Sequence, residues 1–299
     1  VRWEGFNGGG SLEDAVNEGV RQGYLNPDNV LRASVVSPPE FGRKNTRDNT
    51  PAVINVQLVP GDKVEVTVAA KGGGSENKSK FAMLLPSDSI VDWVLSVVPT
   101  MGADWCPPGI LSLGIGGTPE KAMLMAKWGM MDPINIQELV ARGPKNRAEE
   151  LRLELYDKVN ALGIGAQGLG GLTTVLDVKV NDYPTHAASK PVALLPNCAA
   201  TRHQHFVLDG SGPATFDPPD LSDWPKLALD FKSSRRVDLD TLTKADLATW
   251  KAGETLLLSG KLLTGRDAAH KRMVDMMAKG EKLPVDFTNR FIYYVGPVN

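Results

Sequence analysis

Two cysteines offer the most distinctive chemistry in this chain. Cys106 opens the run Cys106-Pro107-Pro108-Gly109, and Cys198 stands 92 residues later in Pro196-Asn197-Cys198-Ala199-Ala200. A cysteine followed by proline between glycine-rich turns suits iron–sulfur ligation, in which an exposed loop delivers the thiolate to iron. A cubane held by three cysteines leaves one iron open, and an open iron is a Lewis acid for a hydroxyl or carboxylate. On that arithmetic the chain is one cysteine short. Two other readings stand beside this one. The thiols can be buried small hydrophobes, or Cys198 can bind zinc with His203 and His205, although that spacing fits no common zinc pattern and its alternation suits a surface strand.

The glycine-rich segments divide into one with a mechanism and two without. Lys71-Gly72-Gly73-Gly74-Ser75 follows a strand-like run, leaves several backbone N–H groups without side-chain cover, and places a lysine beside them. Such a turn can present donors to a carboxylate or phosphate. Gly163-Ile164-Gly165-Ala166-Gln167-Gly168 matches the dinucleotide pattern, which requires a strand before it and a helix after it; here the order is reversed. Gly74 to Ser79 lacks the glycine that precedes the lysine of a P-loop. Three further side chains complete the candidates. His186 lies among small residues in Pro184-Thr185-His186-Ala187-Ala188, Arg32 precedes Ala33-Ser34-Val35-Val36, and Arg266 follows the candidate cap Thr264 beside Asp267. Arginines in such places can grip a carboxylate bidentately, and taken alone each is an ordinary surface charge.

These groups need elements to hold them. Ser11 to Tyr24 reads as a capped helix, and Ala52 to Leu58 with Lys63 to Ala69 as a hairpin about Pro60-Gly61-Asp62. Ser87 to Val98 returns to helical spacing. Ile110 to Ile115, then Gly116-Gly117, then Thr118-Pro119-Glu120 reads as strand, turn and helix start. Arg147 to Leu162 is an amphipathic helix, Thr173 to Val180 a strand, Thr255 to Leu258 a strand, and Gly265 to Lys279 a helix stopped by Gly280. The proline- and aspartate-rich stretch from Ala214 to Arg236 is the linker candidate. The fold class expected is α/β: a mixed α+β first domain over 1–225, with helices on a parallel-sheet layer, and the start of a smaller C-terminal α/β domain over 237–299.

Composition bounds the function. The 299 residues predict about two domains. With 33 basic against 35 acidic side chains the net charge is −2, which removes the drive toward nucleic acid or anionic membranes. No window approaches the ~18 apolar residues of a membrane span. The opening at Val1 and the closing strand-like run to Asn299 both look cut.

Several motifs converge on a family. Lys71-Gly-Gly-Gly-Ser-Glu-Asn-Lys-Ser79, Trp105-Cys-Pro-Pro-Gly109, the Gly163–Gly171 run and Pro184-Thr-His-Ala-Ala-Ser-Lys-Pro191 closely resemble segments of class I fumarate hydratases. So do Pro196-Asn-Cys-Ala-Ala-Thr-Arg-His203 and Leu263-Thr-Gly-Arg-Asp-Ala-Ala-His270, in the same order along essentially the whole chain. The resemblance implies an oxygen-sensitive [4Fe–4S] cluster with Cys106 and Cys198 as ligands and a third cysteine, in a Cys-Gln-Asp-Thr-Gly motif, just upstream of Val1. It implies that Arg32, Gly74 and Arg266 contact a small dicarboxylate and that His186 lies beside it as the catalytic candidate. The implied activity is reversible hydration of fumarate to (S)-malate with the open iron as Lewis acid, in a cytoplasmic homodimer; L-tartrate dehydratase belongs to the same family. A Gly-Pro-Thr-Thr segment with the proton-transferring threonine would follow Asn299. The isolated 299 residues are therefore expected to be inactive, and an inactive fragment or anion-binding module is the reading outside hydro-lyase chemistry. One local departure is Asn45-Thr46-Arg47, where the family usually has Asn-Thr-Gly.

Overall fold

The computed structural model describes residues 10–200, 202–216, 222, 231–251, 254–265 and 267–293. The chain divides into two compact units, Val1–Phe216 and Asp217–Asn299. In the first, helix α1 (Leu12–Leu25) begins where the sequence predicts. Ser11 Oγ accepts from the Asp14 N–H at 3.0 Å while the Asp14 carboxylate accepts from the Ser11 N–H at 3.1 Å, a reciprocal cap. Two short strands, β1 (Val36–Ser37) and β2 (Lys44–Asn45), pair antiparallel. Arg47, where the resembling sequences usually have glycine, adopts φ 70°, a left-handed backbone that an arginine bears here.

The expected hairpin does not form. Residues 52–59 join no strand, and β3 (Val64–Ala69) pairs instead with a strand near the end of the unit. That later strand, His203–Leu208, takes the edge of β3 in register from Val64↔Leu208 to Ala69↔His203, and alternation within 52–58 could not specify that choice.

The glycine turn becomes a single helical turn, α2 (Gly73–Glu76), and is followed by β4 (Lys80–Leu84) and α3 (Ile90–Val97), capped by Ser89. After a 3₁₀ turn and a loop come β5 (Gly109–Gly116), α4 (Pro119–Gly129) with proline at its first turn, α5 (Ile136–Arg142) and α6 (Arg147–Ala161). Strands β6 (Val175–Tyr183), β7 (Lys190–Cys198) and β8 (His203–Leu208) complete the unit.

Four strands form one sheet in the order β4-β7-β5-β6. Only β5 and β6 run parallel; β4–β7 and β5–β7 are antiparallel, so the layer is mixed rather than parallel. Period-two alternation splits the sheet between two helical layers. Leu111, Leu113, Val178, Val192 and Leu194 pack with Val94 of α3 and Leu155 of α6. On the other face Ala193 and Leu195 meet Ala122 and Ala126 of α4 and Met130 just after its end. Gly114 allows that approach, since a Cβ there would stand 1.9 Å from the Ala122 carbonyl oxygen. The sheet is thus the middle of an α/β/α sandwich, with β3 and β8 as a separate two-stranded ribbon.

A buried ionic group closes the β6 edge. Asp177 and the Lys179 side chain are at most 5% exposed and lie 2.8 Å apart. Arg152 of α6 reaches the Asp177 carboxylate at 3.1 Å and donates to the Val178 carbonyl at 2.7 Å. Lys179 also donates to the Pro133 carbonyl and to Asn135, so every charge in the group is bonded.

In the second unit β9 (Arg235–Asp238), α7 (Lys244–Leu247) and β10 (Leu256–Ser259) come first, with β9 and β10 parallel. Strand β11 (Leu263–Thr264), helix α8 (Asp267–Ala278) and β12 (Ile292–Tyr293) follow, β11 pairing parallel with β12. Gly280 takes φ 70° to end α8, the stop that the sequence predicts. Most of the 214–236 linker candidate lies outside the described residues. Among the described residues, no helix is long and apolar enough to cross a membrane.

Candidate functional site

One end of the four-stranded sheet carries both cysteines. β7 ends at Cys198, whose register partner on β5 is Gly109, three residues after Cys106. Neither cysteine is in a disulfide; Cys106 is exposed and Cys198 half-buried. Cys106 adopts φ 57° and its N–H donates to the Ala103 carbonyl at 2.8 Å, so the loop before β5 turns sharply at the thiol. Gly109 lets β5 and β7 close tightly behind it, since a Cβ would stand 2.2 Å from the Asn197 carbonyl oxygen.

Glycine-rich segments hold this loop on two sides. The Gly163–Gly171 run lies between α6 and β6, the order that argues against a dinucleotide site. It folds back on itself through Gly165, where a Cβ would meet Gly170 backbone at 2.2 Å. Gln167 then donates to the Pro107 carbonyl through both its backbone N–H, at 2.6 Å, and its side chain, at 3.3 Å. The run braces the Cys106 loop, a role that its resemblance to a nucleotide motif conceals.

The Lys71–Ser79 segment grips the loop from the other side. Gly74 packs directly on the Asp104 carbonyl, and Lys78 Nζ pairs with the Asp104 carboxylate at 2.7 Å. The backbone N–H groups of Gly73 and Gly74 have no acceptor among the described residues, so the donors expected of this turn are present, held on a helical turn rather than an open nest. Beneath them Lys71 Nζ donates to Ser75 Oγ at 2.8 Å and pairs with Glu76 at 3.1 Å, while Lys127 of α4 pairs with the same Glu76. Burial lowers the Lys71 ammonium from its ordinary range, opposed by its hydrogen bond to Glu76 and by the Glu76 charge. Burial acts to raise Glu76 as well, but the Lys127 and Lys71 ammoniums outweigh it and leave the carboxyl below its usual range. Sequence reasoning noticed one lysine here and missed two. Lys78 lies in the quoted motif, whereas Lys127 comes from a helix 50 residues on, with no local signal.

This packing gives a specific expectation for Gly74→Ala. A Cβ would stand 2.3 Å from the Asp104 carbonyl oxygen, so the Cys106 loop or α2 must shift. Overpacking of this kind costs about 1–3 kcal/mol. Thermal unfolding of the variant should show that loss, and an unchanged transition would mean that the two segments do not touch in solution.

The other candidates are dispersed. His186 follows β6 at the opposite end of the sheet, in a crevice with Gly117, Thr118, Lys121 and Tyr183. Tyr183 pairs with Gly116, seven residues along β5 from Gly109, so His186 lies about 20 Å from the cysteine end. Its Nδ1 accepts from the Ala188 N–H at 3.1 Å, which leaves Nε2 to carry the proton of a neutral ring. Arg32 is exposed on the segment before β1. Arg266 lies outside the described residues. His203 and His205 are on β8, with His205 bonded to Thr67 at 3.0 Å. Among the described residues no three His, Cys, Asp or Glu side chains gather into a metal-binding group.

Comparison with known proteins gives these positions a lineage. The family model described as fumarate hydratase (Fumerase) matches residues 4–207, and the one described as fumarase C-terminus matches residues 210–299. The chain belongs to the fumarate hydratase family. Aerobic class I fumarate hydratase of Escherichia coli is 31% identical over 310 residues, covering 97% of this chain and 55% of that protein. Fumarate hydratase 2 of Leishmania major is 31% identical over 312 residues, covering 97% of this chain and 53% of its own. A putative L(+)-tartrate dehydratase subunit alpha of Methanocaldococcus jannaschii is 36% identical over 199 residues, 63% of this chain and 66% of that subunit. The chain thus spans about half the length of the fumarate hydratase relatives it matches.

Proposed function

We propose that the protein containing this chain is a hydro-lyase that interconverts fumarate and (S)-malate at a [4Fe–4S] centre on the cysteine end of the sheet. The observation that carries the reading is the convergence of Cys106, Cys198, the Gly73–Gly74 donors and an excess of lysine charge on one sheet end. The donor set fits the group: two sulfur ligands outside any disulfide hang from one end of adjacent strands, with the third thiolate coming from outside these 299 residues. Such a cluster supplies an open iron, a Lewis acid that makes hydroxide a better leaving group.

The chain's own residues do the positioning. The Gly73 and Gly74 N–H groups offer two hydrogen bonds to one substrate carboxylate, and the resemblance assigns Arg32 and Arg266 to the dicarboxylate as well. His186 is too distant to touch a substrate at the cysteine end of its own chain. Its place beside the substrate therefore comes from the second copy of a homodimer. A cytoplasmic setting keeps both thiols reduced.

The test is the full-length protein, reconstituted anaerobically with iron and sulfide and followed by the ultraviolet absorbance of fumarate. Cluster formation with reversible consumption of fumarate is expected, whereas the 299 residues alone should turn over nothing. A loaded cluster without hydration would overturn the reading. The tartrate dehydratase relative favours a second substrate, L-tartrate, and the ratio of kcat/KM for malate and tartrate decides between them.

A further inference from the structure

The crevice that holds His186 also holds a cation with an unusual setting. Lys121, in the first turn of α4, has its Nζ 4.9 Å from the centroid of the Tyr183 ring and 5.2 Å from that of Trp128. Lys71, Lys78, Lys127 and Lys179 all pair with carboxylates, which cancel their charge. Ring faces hold an ammonium in place without cancelling it, and among the described residues no carboxylate pairs with Lys121. Two acids lie near. Glu120 is bonded to Thr118 and to its own N–H at the start of α4, and Asp182 alternates with Tyr183 onto the opposite face of β6, where it lines a different cavity. The lining of the crevice itself contains no carboxylate. His186, with Nδ1 occupied by the Ala188 N–H, offers Nε2–H as a donor. The walls are fixed. Thr185 donates to the Gly117 carbonyl at 2.9 Å, and the Lys121 stem lies on Gly117, where a Cβ would stand 2.7 Å from its Cγ. The crevice encloses about 580 Å³, far more than a four-carbon diacid fills, and His186 and Tyr183 are exposed, so a second surface must close over such a ligand.

We propose that Lys121 binds a substrate carboxylate across the homodimer, the crevice of one copy bringing Lys121 together with His186 to the cysteine end of the other. The proposal rests on the hydro-lyase reading given above, in which His186 reaches the substrate from the second copy. A held cation and a neutral N–H donor in an acid-free crevice select an anion. A dicarboxylate presents more oxygens than the Gly73 and Gly74 N–H groups can meet, and the closing surface that the crevice lacks is then the other copy's sulfur end. Because the rings and Gly117 fix Lys121 before substrate arrives, less ordering is left to be done on binding.

The experiment is steady-state kinetics of the anaerobically reconstituted full-length protein carrying Lys121→Met, Lys121→Gln or Lys121→Arg, with succinate as an unreactive competitive inhibitor. Both neutral variants should raise KM for fumarate and Ki for succinate together, by roughly ten- to a hundredfold for a lost charge-assisted hydrogen bond, with kcat little changed. Lys121→Arg should recover most of that loss. Methionine keeps an apolar stem on the rings and glutamine a polar end, so either one decides the matter if the other misfolds. Placement across the dimer is read by co-expressing Lys121→Met copies with Cys198→Ser copies. The mixture should regain a low-KM component, because one site of each mixed dimer then holds both Lys121 and Cys198. KM and Ki unchanged in the neutral variants, or no low-KM component in the mixture, would overturn the proposal while leaving the hydro-lyase reading intact. Wild-type protein that hydrates no fumarate would overturn both.

Discussion

Cys106→Ser or Cys198→Ser in the full-length protein should abolish both the visible absorption of the reconstituted cluster and the hydration of fumarate. A hydroxyl is a poor substitute for thiolate at iron, and on the proposed reading these two residues, the chain's two cysteines, are the ligands it supplies. If Lewis-acid assistance supplies several kcal/mol to the reaction, its loss lowers kcat by about a thousandfold or more. Iron and sulfide content measured beside the rate separates loss of the cluster from loss of the fold, because neither cysteine belongs to the buried core. Far-ultraviolet circular dichroism should be unchanged in both variants. Serine variants that keep their iron and turn over normally would remove the cysteine end of the sheet as the reaction site.

The second large effect concerns stability. Asp177→Ala leaves Lys179 and Arg152 buried around a missing partner, and breaking a buried pair this way costs about 3–5 kcal/mol. For a unit of this size the thermal midpoint should fall by roughly 10 °C. Replacing both buried partners, as in Asp177→Leu with Lys179→Met, should recover part of the loss, because the cost comes from the orphaned charge rather than from the absent bond. A single variant as stable as the parent would show that water reaches this group. The consequence is also functional at a distance: β6 is the strand that carries the Gly163–Gly171 brace into the sheet, so its loosening relaxes the Gln167–Pro107 contact on the Cys106 loop.

What could be read from residue order follows the range of the interactions involved. Helices α1, α4 and α6 were legible because their caps, first-turn acids or proline, and apolar spacing all lie within one segment. The reversed context of the Gly163 run was legible for the same reason. The partner of β3 was not: nothing near Val64–Ala69 specifies β8, and the nearer candidate over 52–58 alternated just as well. The mixed sheet escaped likewise, since strand order depends on which faces the helices cover rather than on any strand's own pattern. At the site, both cysteines and the glycine turn declared themselves by type and spacing. The pairing of Lys127 with Glu76, the bond from Lys78 to Asp104 and the distance of His186 from the sulfurs exist only once the sheet has brought remote segments together.

The β3–β8 ribbon has a bearing on how the protein is made. Thr67 and His205, bonded across it, are 138 residues apart, and Cys106 and Cys198 straddle most of that interval. At translation speeds of about 5–20 residues per second, the glycine turn and the first cysteine leave the ribosome on the order of ten seconds before the strands that complete their surroundings. Through that interval a nascent chain presents an exposed thiol on a loop lacking β6, β7 and the Gln167 brace. On the proposed reading, metal delivered then would meet an incomplete set of sulfurs, so the order of the strands along the gene would place cluster loading after synthesis.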